Sequence, residues 1–291
     1  AEGMLRPYED RRSRMTDGLY SESRMIGDTK FHEHADIEAA VAERWREEYS
    51  EAALGEPTRQ VARNLGYRLD GDSARIPRMV GKEPVASFAQ QRLWFLDQLE
   101  GAGVVYSMPG ALRLTGPLDR EALARSLAEI AERHETLRSC FTTRDGQPVL
   151  SFAEKGPGLE RVDLENLDAV ERERRVAELT RADAERPFDL ERGPLLRASL
   201  IALGPESHVL LVNMHHIVSD GWSMGLLIRE WSALYNAFAA GHPSPLTTLP
   251  VQYVDFAHWQ RQHLRGAELQ RQLDYWHKAL DGAPALLELP T

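Results

Sequence analysis

The sequence predicts an α/β fold in which a mixed sheet is flanked by helices, preceded by a partly helical N-terminal segment. Apolar runs typical of strands alternate with amphipathic helical segments from about residue 110 onward. Glycines and prolines separate these runs. The 291 residues, 42% hydrophobic and 27% charged, give room for one large domain or two small ones with a sizeable core.

Local signals place the individual elements. Asp119 precedes an amphipathic stretch and is expected to cap a helix, whereas Asp145-Gly146 lies between two strand-like runs and predicts a hairpin. Pro187 ends a helical pattern, and the proline-rich stretch 241–250 predicts a surface connection. Strands are expected at 111–115, 136–143, 148–152, 195–202 and 208–215, and helices at 119–133, 164–186, 223–240 and 254–280.

Composition excludes several classes of protein. A formal charge of −10 argues against a nucleic-acid partner, because phosphate backbones attract basic surfaces. The sequence has no run of about 18 apolar residues and no N-terminal signal, so neither membrane insertion nor secretion is expected. Cys140 is the single cysteine, so an internal disulfide is impossible and a cytoplasmic location is expected, with Cys140 inert as a buried thiol.

The most informative motif is His-His-Ile-Val-Ser-Asp-Gly at 215–221, which follows the apolar run 208–214 and precedes an amphipathic segment. This order predicts a strand that delivers two imidazoles to the start of a helix. Because successive strand residues point to opposite faces, only one histidine is expected to face the chemistry while the other packs. A neutral imidazole can accept a proton or a hydrogen bond near neutral pH.

Asp220 and Gly221 complete the motif. Asp220 could accept a ring N–H or pair with an arginine, and Gly221 allows close backbone approach. The alternative, two hydrogen-bonded histidines at a core edge, is weakened by the Asp and Gly that accompany the doublet. A metal site is not expected, because the nearest other cluster, His32-Glu33-His34, lies in a patternless polar stretch.

Four segments carry a family resemblance. The sequence MHHIVSDGWS at 214–223 resembles the core motif of the condensation domains of non-ribosomal peptide synthetases. Three other motifs of that family occur in the family's order: SFAQQRLWFL at 87–96, RHETLRSCF at 133–141 and YVDFAHWQ at 253–260. The stretches 185–203 and 273–291 are also similar to family sequence.

The resemblance implies a fold. A complete condensation domain has two lobes, each like chloramphenicol acetyltransferase, with the active site in a tunnel between them. Residues 77–291 are expected to be the N-terminal lobe, with the C-terminal lobe missing, so that the fragment alone is expected to be inactive. Residues 1–76 stay unassigned, as the tail of an upstream domain, a linker or a docking element. Asp72-Ser73 lacks the flanking apolar helix of a carrier protein's attachment site.

The resemblance also implies an activity, peptide-bond formation by acyl transfer between substrates held as thioesters on carrier proteins. The 4'-phosphopantetheine arms would belong to the upstream and downstream peptidyl carrier proteins, and the chain itself would bind no cofactor. His216 would act at the reacting amine, as general base or as a positioning acceptor, with His215 in support.

For the rest of the motif, the resemblance assigns Asp220 to a structural salt bridge, with Arg138 as the first and Arg92 as the second expected partner. Gly221 would bring its backbone close to the oxyanion. Trp94 and Trp222 are expected to pack.

Two alternatives remain open, an acyl-CoA-dependent acyltransferase and a non-catalytic carrier-binding module. Neighbouring synthetase domains are expected partners. The motifs at 87–96 and 217–223 resemble those of domains that join two L-residues, but the sequence does not identify the donor, the acceptor or the product.

Overall fold

The computed structural model describes residues 29–30, 76–100 and 104–284. The expected partly helical N-terminal segment, residues 1–76, and the His32-Glu33-His34 cluster in it lie outside the described residues, apart from the two-residue strand Thr29–Lys30 and from Ile76.

Within the described residues, the strands form a five-stranded mixed sheet and a separate hairpin. The order in the sheet is β1-β2-β7-β6-β5, with β2 and β6 antiparallel to β7, and with β1 parallel to β2 and β5 parallel to β6. The sheet strands are β1 (Thr29–Lys30), β2 (Ser107–Thr115), β5 (Leu159–Asp163), β6 (Leu196–Gly204) and β7 (Ser207–His215), and the hairpin strands are β3 (Ser139–Arg144) and β4 (Gln147–Phe152).

Six helices and one short 3-10 turn accompany the strands in the described part of the chain. They are α1 (Phe88–Glu100), α2 (Arg120–Arg133), α3 (Ala169–Glu185), α4 (Gly221–Ala239), α5 (Tyr253–His263) and α6 (Gly266–Ala279), with the 3-10 turn at Glu135–Arg138. The predicted mixed sheet flanked by helices is therefore confirmed.

Strand β7 lies in the middle of the sheet, between β2 and β6, and both of its faces are largely apolar. Leu210, Val212 and Met214 belong to a core cluster with residues of α2 and α4, whereas Val209 and Leu211 belong to a second cluster on the other side of the sheet. All residues of β7 from 208 to 215 are buried. Such burial on both faces explains why the sequence of this strand is an almost uninterrupted apolar run rather than an alternating one.

Several predicted boundaries are confirmed. Asp119 caps α2 by accepting hydrogen bonds from the N–H groups of Glu121 and Ala122, at 3.0 and 2.9 Å. The hairpin turns at Asp145, the one non-glycine residue with positive φ in the described chain, followed by Gly146. Trp94 is buried in the core, as expected from its sequence context.

Other boundaries differ from the prediction. The helix expected at 254–280 is two helices, because the chain breaks at Arg265 and Gly266 adopts a φ of +56°. The helix expected at 164–186 begins only after Asp168, whose carboxylate accepts the Glu171 N–H at 2.9 Å. Strand β5 was not predicted, because alternating polar residues in a five-residue strand give a weak signal.

Cys140 is only half-buried on β3, rather than fully buried as expected. Burial raises the pKa of its thiol, and the nearby Asp189 carboxylate adds to the effect. The thiol is therefore held in its protonated, unreactive form at neutral pH.

Among the described helices, none combines the length and apolar character needed to cross a bilayer.

A substitution at Gly156 can test how the loop after the hairpin packs against α2. A Cβ at this position would lie 2.3 Å from Cβ of Ala131 on α2, whereas a Cβ at Gly158 would meet nothing within 4 Å. We expect Gly156→Ala to lower the free energy of unfolding by about 1–3 kcal/mol through overpacking, measured by urea denaturation. The matched control Gly158→Ala should change it by less than about 0.5 kcal/mol. Equal stabilities of the two variants would contradict this packing.

Candidate active site

The two histidines at the end of β7 lie on opposite sides of the backbone. His215 is fully buried, whereas His216 is exposed and lines a cavity. His216 follows the last residue of β7 and lies two residues after Met214. Side chains two residues apart on an extended chain point to the same face, and Met214 lines the same cavity. One histidine therefore packs while the other faces open space, as the alternation of strand side chains predicts.

His215 is held as a neutral ring. Its Nδ1 accepts a hydrogen bond from the Ile217 N–H at 3.1 Å, so the proton of the neutral imidazole is on Nε2. The ring lies between Tyr106 and Phe188, with ring centroids 6.1 and 5.9 Å away. Burial lowers the pKa of His215 to about 4, and the neighbouring His216 contributes to the same shift. At neutral pH His215 is therefore an uncharged acceptor.

The backbone on both sides of His216 is fixed by hydrogen bonds. The His216 N–H donates to the Tyr106 carbonyl at 2.8 Å, which fixes the peptide unit before its Cα. The Ile217 N–H donates to His215 Nδ1, which fixes the peptide unit after it. The Val218 N–H donates to the His215 carbonyl at 3.0 Å. Since both flanking peptide units are held, the direction of the His216 Cα–Cβ bond is set by the fold.

A cavity of about 710 Å³ lies in front of His216, and its walls are mostly apolar. Each of the four sequence motifs contributes a lining side chain. Arg92 comes from α1, His134 from the turn after α2, Asp220 from the start of α4 and Tyr253 from the start of α5. The structure therefore brings all four motifs together around one histidine.

Asp220 and Arg138 do not form the predicted salt bridge. Asp220 caps α4, accepting from the Ser223 N–H at 2.8 Å and from the Ser223 hydroxyl at 2.6 Å. Arg138 instead donates to the carbonyls of Ala131 and Ala153, at 3.0 and 2.6 Å. Both contacts of Asp220 are made by its Oδ1 atom, as is usual for an aspartate that caps a helix.

Arg92, the second expected partner, lies exposed at the cavity wall and forms no ion pair with Asp220. Gly221 is the first residue of α4. The N–H groups of the first helical turn have no acceptor within the helix, so they point their donors toward the space before it.

The described residues contain no cluster of three or more histidine, cysteine or acidic side chains that could hold a metal ion.

Sequence reasoning missed an ion cluster at the cavity wall. His134 Nε2 lies 2.7 Å from Glu230 Oε2, and Arg133 Nε donates to the same oxygen at 2.9 Å. Burial alone would raise the pKa of Glu230, but the hydrogen bonds from His134 and Arg133 outweigh it and lower that pKa. Arg133 and His134 belong to one of the four motifs, whereas nothing in the sequence around Glu230 indicates that α4 packs it against α2.

A second missed feature is the way α5 holds the leading segment, residues 76–87. Asp255 Oδ1 accepts the Met79 N–H at 2.7 Å, and Arg261 Nε donates to the Ala86 carbonyl at 2.7 Å. His258 Nε2 contacts the Glu83 carbonyl at 2.9 Å. The helix of the fourth motif therefore fixes the chain just before the first motif, and Ile76 at the start of this segment lines the cavity.

Family comparison gives a match over most of the chain. The family model described as "Condensation domain" matches residues 81–291. A polypeptide of linear gramicidin synthase from Brevibacillus parabrevis is 49% identical over 243 residues, and malpinin synthetase from Mortierella alpina is 50% identical over 206 residues. These matches cover 80% and 70% of this chain but only 3% of each of the two relatives.

Solved structures agree with this match in fold. The X-domain from teicoplanin biosynthesis superposes with a TM-score of 0.65 at 29% identity, covering 75% of this chain and 48% of that one. The SgcC5 protein from Streptomyces globisporus superposes with a TM-score of 0.58 at 33% identity, covering 70% of this chain and 47% of that one. The matched region thus spans about half the length of these structures.

The depressed pKa of His215 predicts acid sensitivity. An unfolded histidine titrates near 6.5, whereas folded His215 titrates at about 4, so the unfolded state binds more protons between these values. The stability is fully present above pH 6.5 and is lost as the pH falls to 4, by about 3 kcal/mol from this residue. Urea denaturation across this range should show the loss. His215→Asn should show a shallower slope, and equal slopes would contradict the assignment.

A double-mutant cycle tests the role of Asp220. We expect Asp220→Ala to lower the free energy of unfolding by about 1 kcal/mol through loss of the cap, measured by thermal or urea denaturation. Its coupling energy with Ser223→Ala should exceed about 0.5 kcal/mol, because the two residues are in contact. Its coupling with Arg138→Met should stay below that value. A strong coupling to Arg138 would restore the salt bridge expected from the sequence.

Proposed function

Because the chain belongs to the condensation-domain family, we propose that it is one lobe of a domain that forms peptide bonds between two carrier-bound thioesters in non-ribosomal peptide synthesis. One observation carries the proposal. At the end of a buried strand, the backbone of His216 is held by hydrogen bonds on both sides, and the exposed imidazole lines a cavity to which all four family motifs contribute.

In this proposal residues 77–291 are the N-terminal lobe of a two-lobed domain. The lobe has the chloramphenicol acetyltransferase-like fold, with a mixed sheet and flanking helices. The similar solved chains are about twice as long as the matched region, which supports a second lobe as the other wall of the cavity. The tunnel that accommodates both substrates would then form only when the C-terminal lobe is present.

The reaction is an acyl transfer in which the α-amine of the acceptor attacks the carbonyl carbon of the donor thioester. A C–N bond forms, the carbonyl oxygen becomes an oxyanion, and collapse of the tetrahedral intermediate breaks the C–S bond. The thiolate leaves with the upstream carrier's arm, and the amine nitrogen loses a proton. His216 accepts a hydrogen bond or the proton from the amine. This contact orients the amine toward the thioester carbonyl, so that the two groups meet in a reactive geometry.

The start of α4 supplies a place for the oxyanion. Gly221 begins the helix beside Asp220, and the positive end of the helix dipole, together with the first-turn N–H groups that Asp220 does not cap, would stabilise negative charge. A preorganised donor of this kind contributes about 3 kcal/mol to an acyl-transfer transition state. Asp220 accepts both Ser223 hydrogen bonds with Oδ1, and we assign it to the helix start rather than to the proton transfer.

The proposed partners are an upstream and a downstream peptidyl carrier protein, each with a 4'-phosphopantetheine arm. The mostly apolar cavity wall suits aminoacyl side chains and the thioester. The chain would hold no cofactor of its own. A cytoplasmic location and a preference for L-donors and L-acceptors remain predictions, and an assay with both donor epimers tests the latter.

Peptide-bond formation should depend on His216. In a polypeptide that continues through the second lobe, donor and acceptor carrier thioesters should yield dipeptide, quantified by mass spectrometry. His216→Ala should lower the rate by about 10²- to 10⁴-fold. The matched control His242→Ala, at an exposed histidine after α4, should retain the wild-type rate. The 291-residue chain alone should form no product.

Three outcomes would contradict the proposal. Equal rates for His216→Ala and the wild type would make His216 structural. Equal transfer from a CoA thioester and from a carrier thioester would favour a CoA-dependent acyltransferase. Carrier binding without turnover by the longer polypeptide, over several substrate pairs, would favour a non-catalytic binding module.

A further inference from the structure

Gln90, in the first motif, makes a buried contact with the backbone just after His216. Its Nε2 donates to the Ile217 carbonyl at 3.3 Å, and the side chain is only 2% exposed. The same residue, Ile217, gives its N–H to His215 Nδ1. Both polar groups of the Ile217 backbone are therefore held by buried side chains from two different motifs.

The orientation of the Gln90 amide is itself fixed. Its Oε1 accepts the Ser87 N–H at 3.0 Å, which leaves Nε2 to face Ile217. The Gln90 N–H donates to Ser87 Oγ at 3.2 Å, and Ser87 is fully buried. Because Ser87 holds the Oε1 atom of the Gln90 amide, the Nε2 atom of the same amide can resist rotation of the Ile217 carbonyl.

The chain of contacts continues to the fourth motif. Ser87 Oγ lies 3.1 Å from the Tyr253 hydroxyl, and Tyr253 lines the cavity. Hydrogen bonds thus link Tyr253, Ser87, Gln90 and Ile217 in one path from the cavity wall to the backbone that follows His216. The segments joined by this path are the start of α1, the start of α5 and the loop after β7.

We propose that Gln90 is a positioning residue for His216, acting through the carbonyl of Ile217. Holding this carbonyl fixes the second peptide unit after His216 and prevents the loop at 216–220 from turning the imidazole away from the cavity. The inference rests on the proposed function for its kinetic consequence, but its geometric content concerns the ring of His216 alone.

The test uses Gln90→Met, which keeps the length of the side chain and removes both polar atoms. In the condensation assay its kcat should fall about 10- to 100-fold, the cost of a misplaced catalytic group, with KM changed less than about twofold. Gln91→Met is the matched control, because Gln91 lies one residue further along the same helix and contacts Gln147 and Arg261 instead. Its kcat should equal that of the wild type.

A second measurement is independent of turnover. In the 291-residue chain with isotope-labelled histidine, the ring signals of His216 should be single and sharp for the wild type and for Gln91→Met. They should be broadened or split for Gln90→Met, because the ring then samples several orientations. Should Gln90→Met not fold, Tyr253→Phe removes the hydroxyl partner of Ser87 and should broaden the same signals to a smaller extent.

These readouts separate the two hypotheses. If the wild type forms no peptide with any substrate pair, the proposed function fails, and the ring signals alone decide the role of Gln90. Wild-type ring signals in Gln90→Met would overturn the positioning role, whatever the kinetics. A change in KM with kcat unaltered would overturn it too, since it would place Gln90 in substrate binding.

Discussion

The candidate site depends on two N–H groups that lie on either side of the His216 Cα. One donates to the Tyr106 carbonyl and the other to the buried Nδ1 of His215. The second contact requires a neutral His215, and burial favours the neutral ring by lowering its pKa to about 4. A buried, uncharged histidine thus holds the backbone beside an exposed histidine, which gives the first imidazole of the motif a structural role.

The rest of the fold supplies the rigidity that these contacts need. Strand β7 is covered on both faces by core clusters, so its end cannot shift without disturbing both of them. Asp220 then starts α4 a few residues after the strand ends, and α4 packs against α2. The loop between strand and helix is therefore short and anchored at both ends, as catalytic loops on rigid scaffolds commonly are.

What the sequence could predict was local. Neighbouring residues predict the cap at Asp119 and the turn at Asp145. The alternation of side chains along a strand predicts the opposite orientation of the two histidines. The partners that Arg138 and His134 have in the structure could not be predicted, because both depend on which elements meet in space. Glu230 is 96 residues from His134, and no local pattern connects them.

Hydrogen exchange at the amides of His216 and Ile217 tests the central claim most directly, that buried hydrogen bonds fix the backbone around the proposed catalytic imidazole. If these bonds hold, both amides should exchange only through large-scale opening, with protection within about 1–2 kcal/mol of the free energy of global unfolding. Exchange as fast as that of the amide of Gly158, in the loop before β5, would show that the backbone around His216 opens freely and would contradict the account.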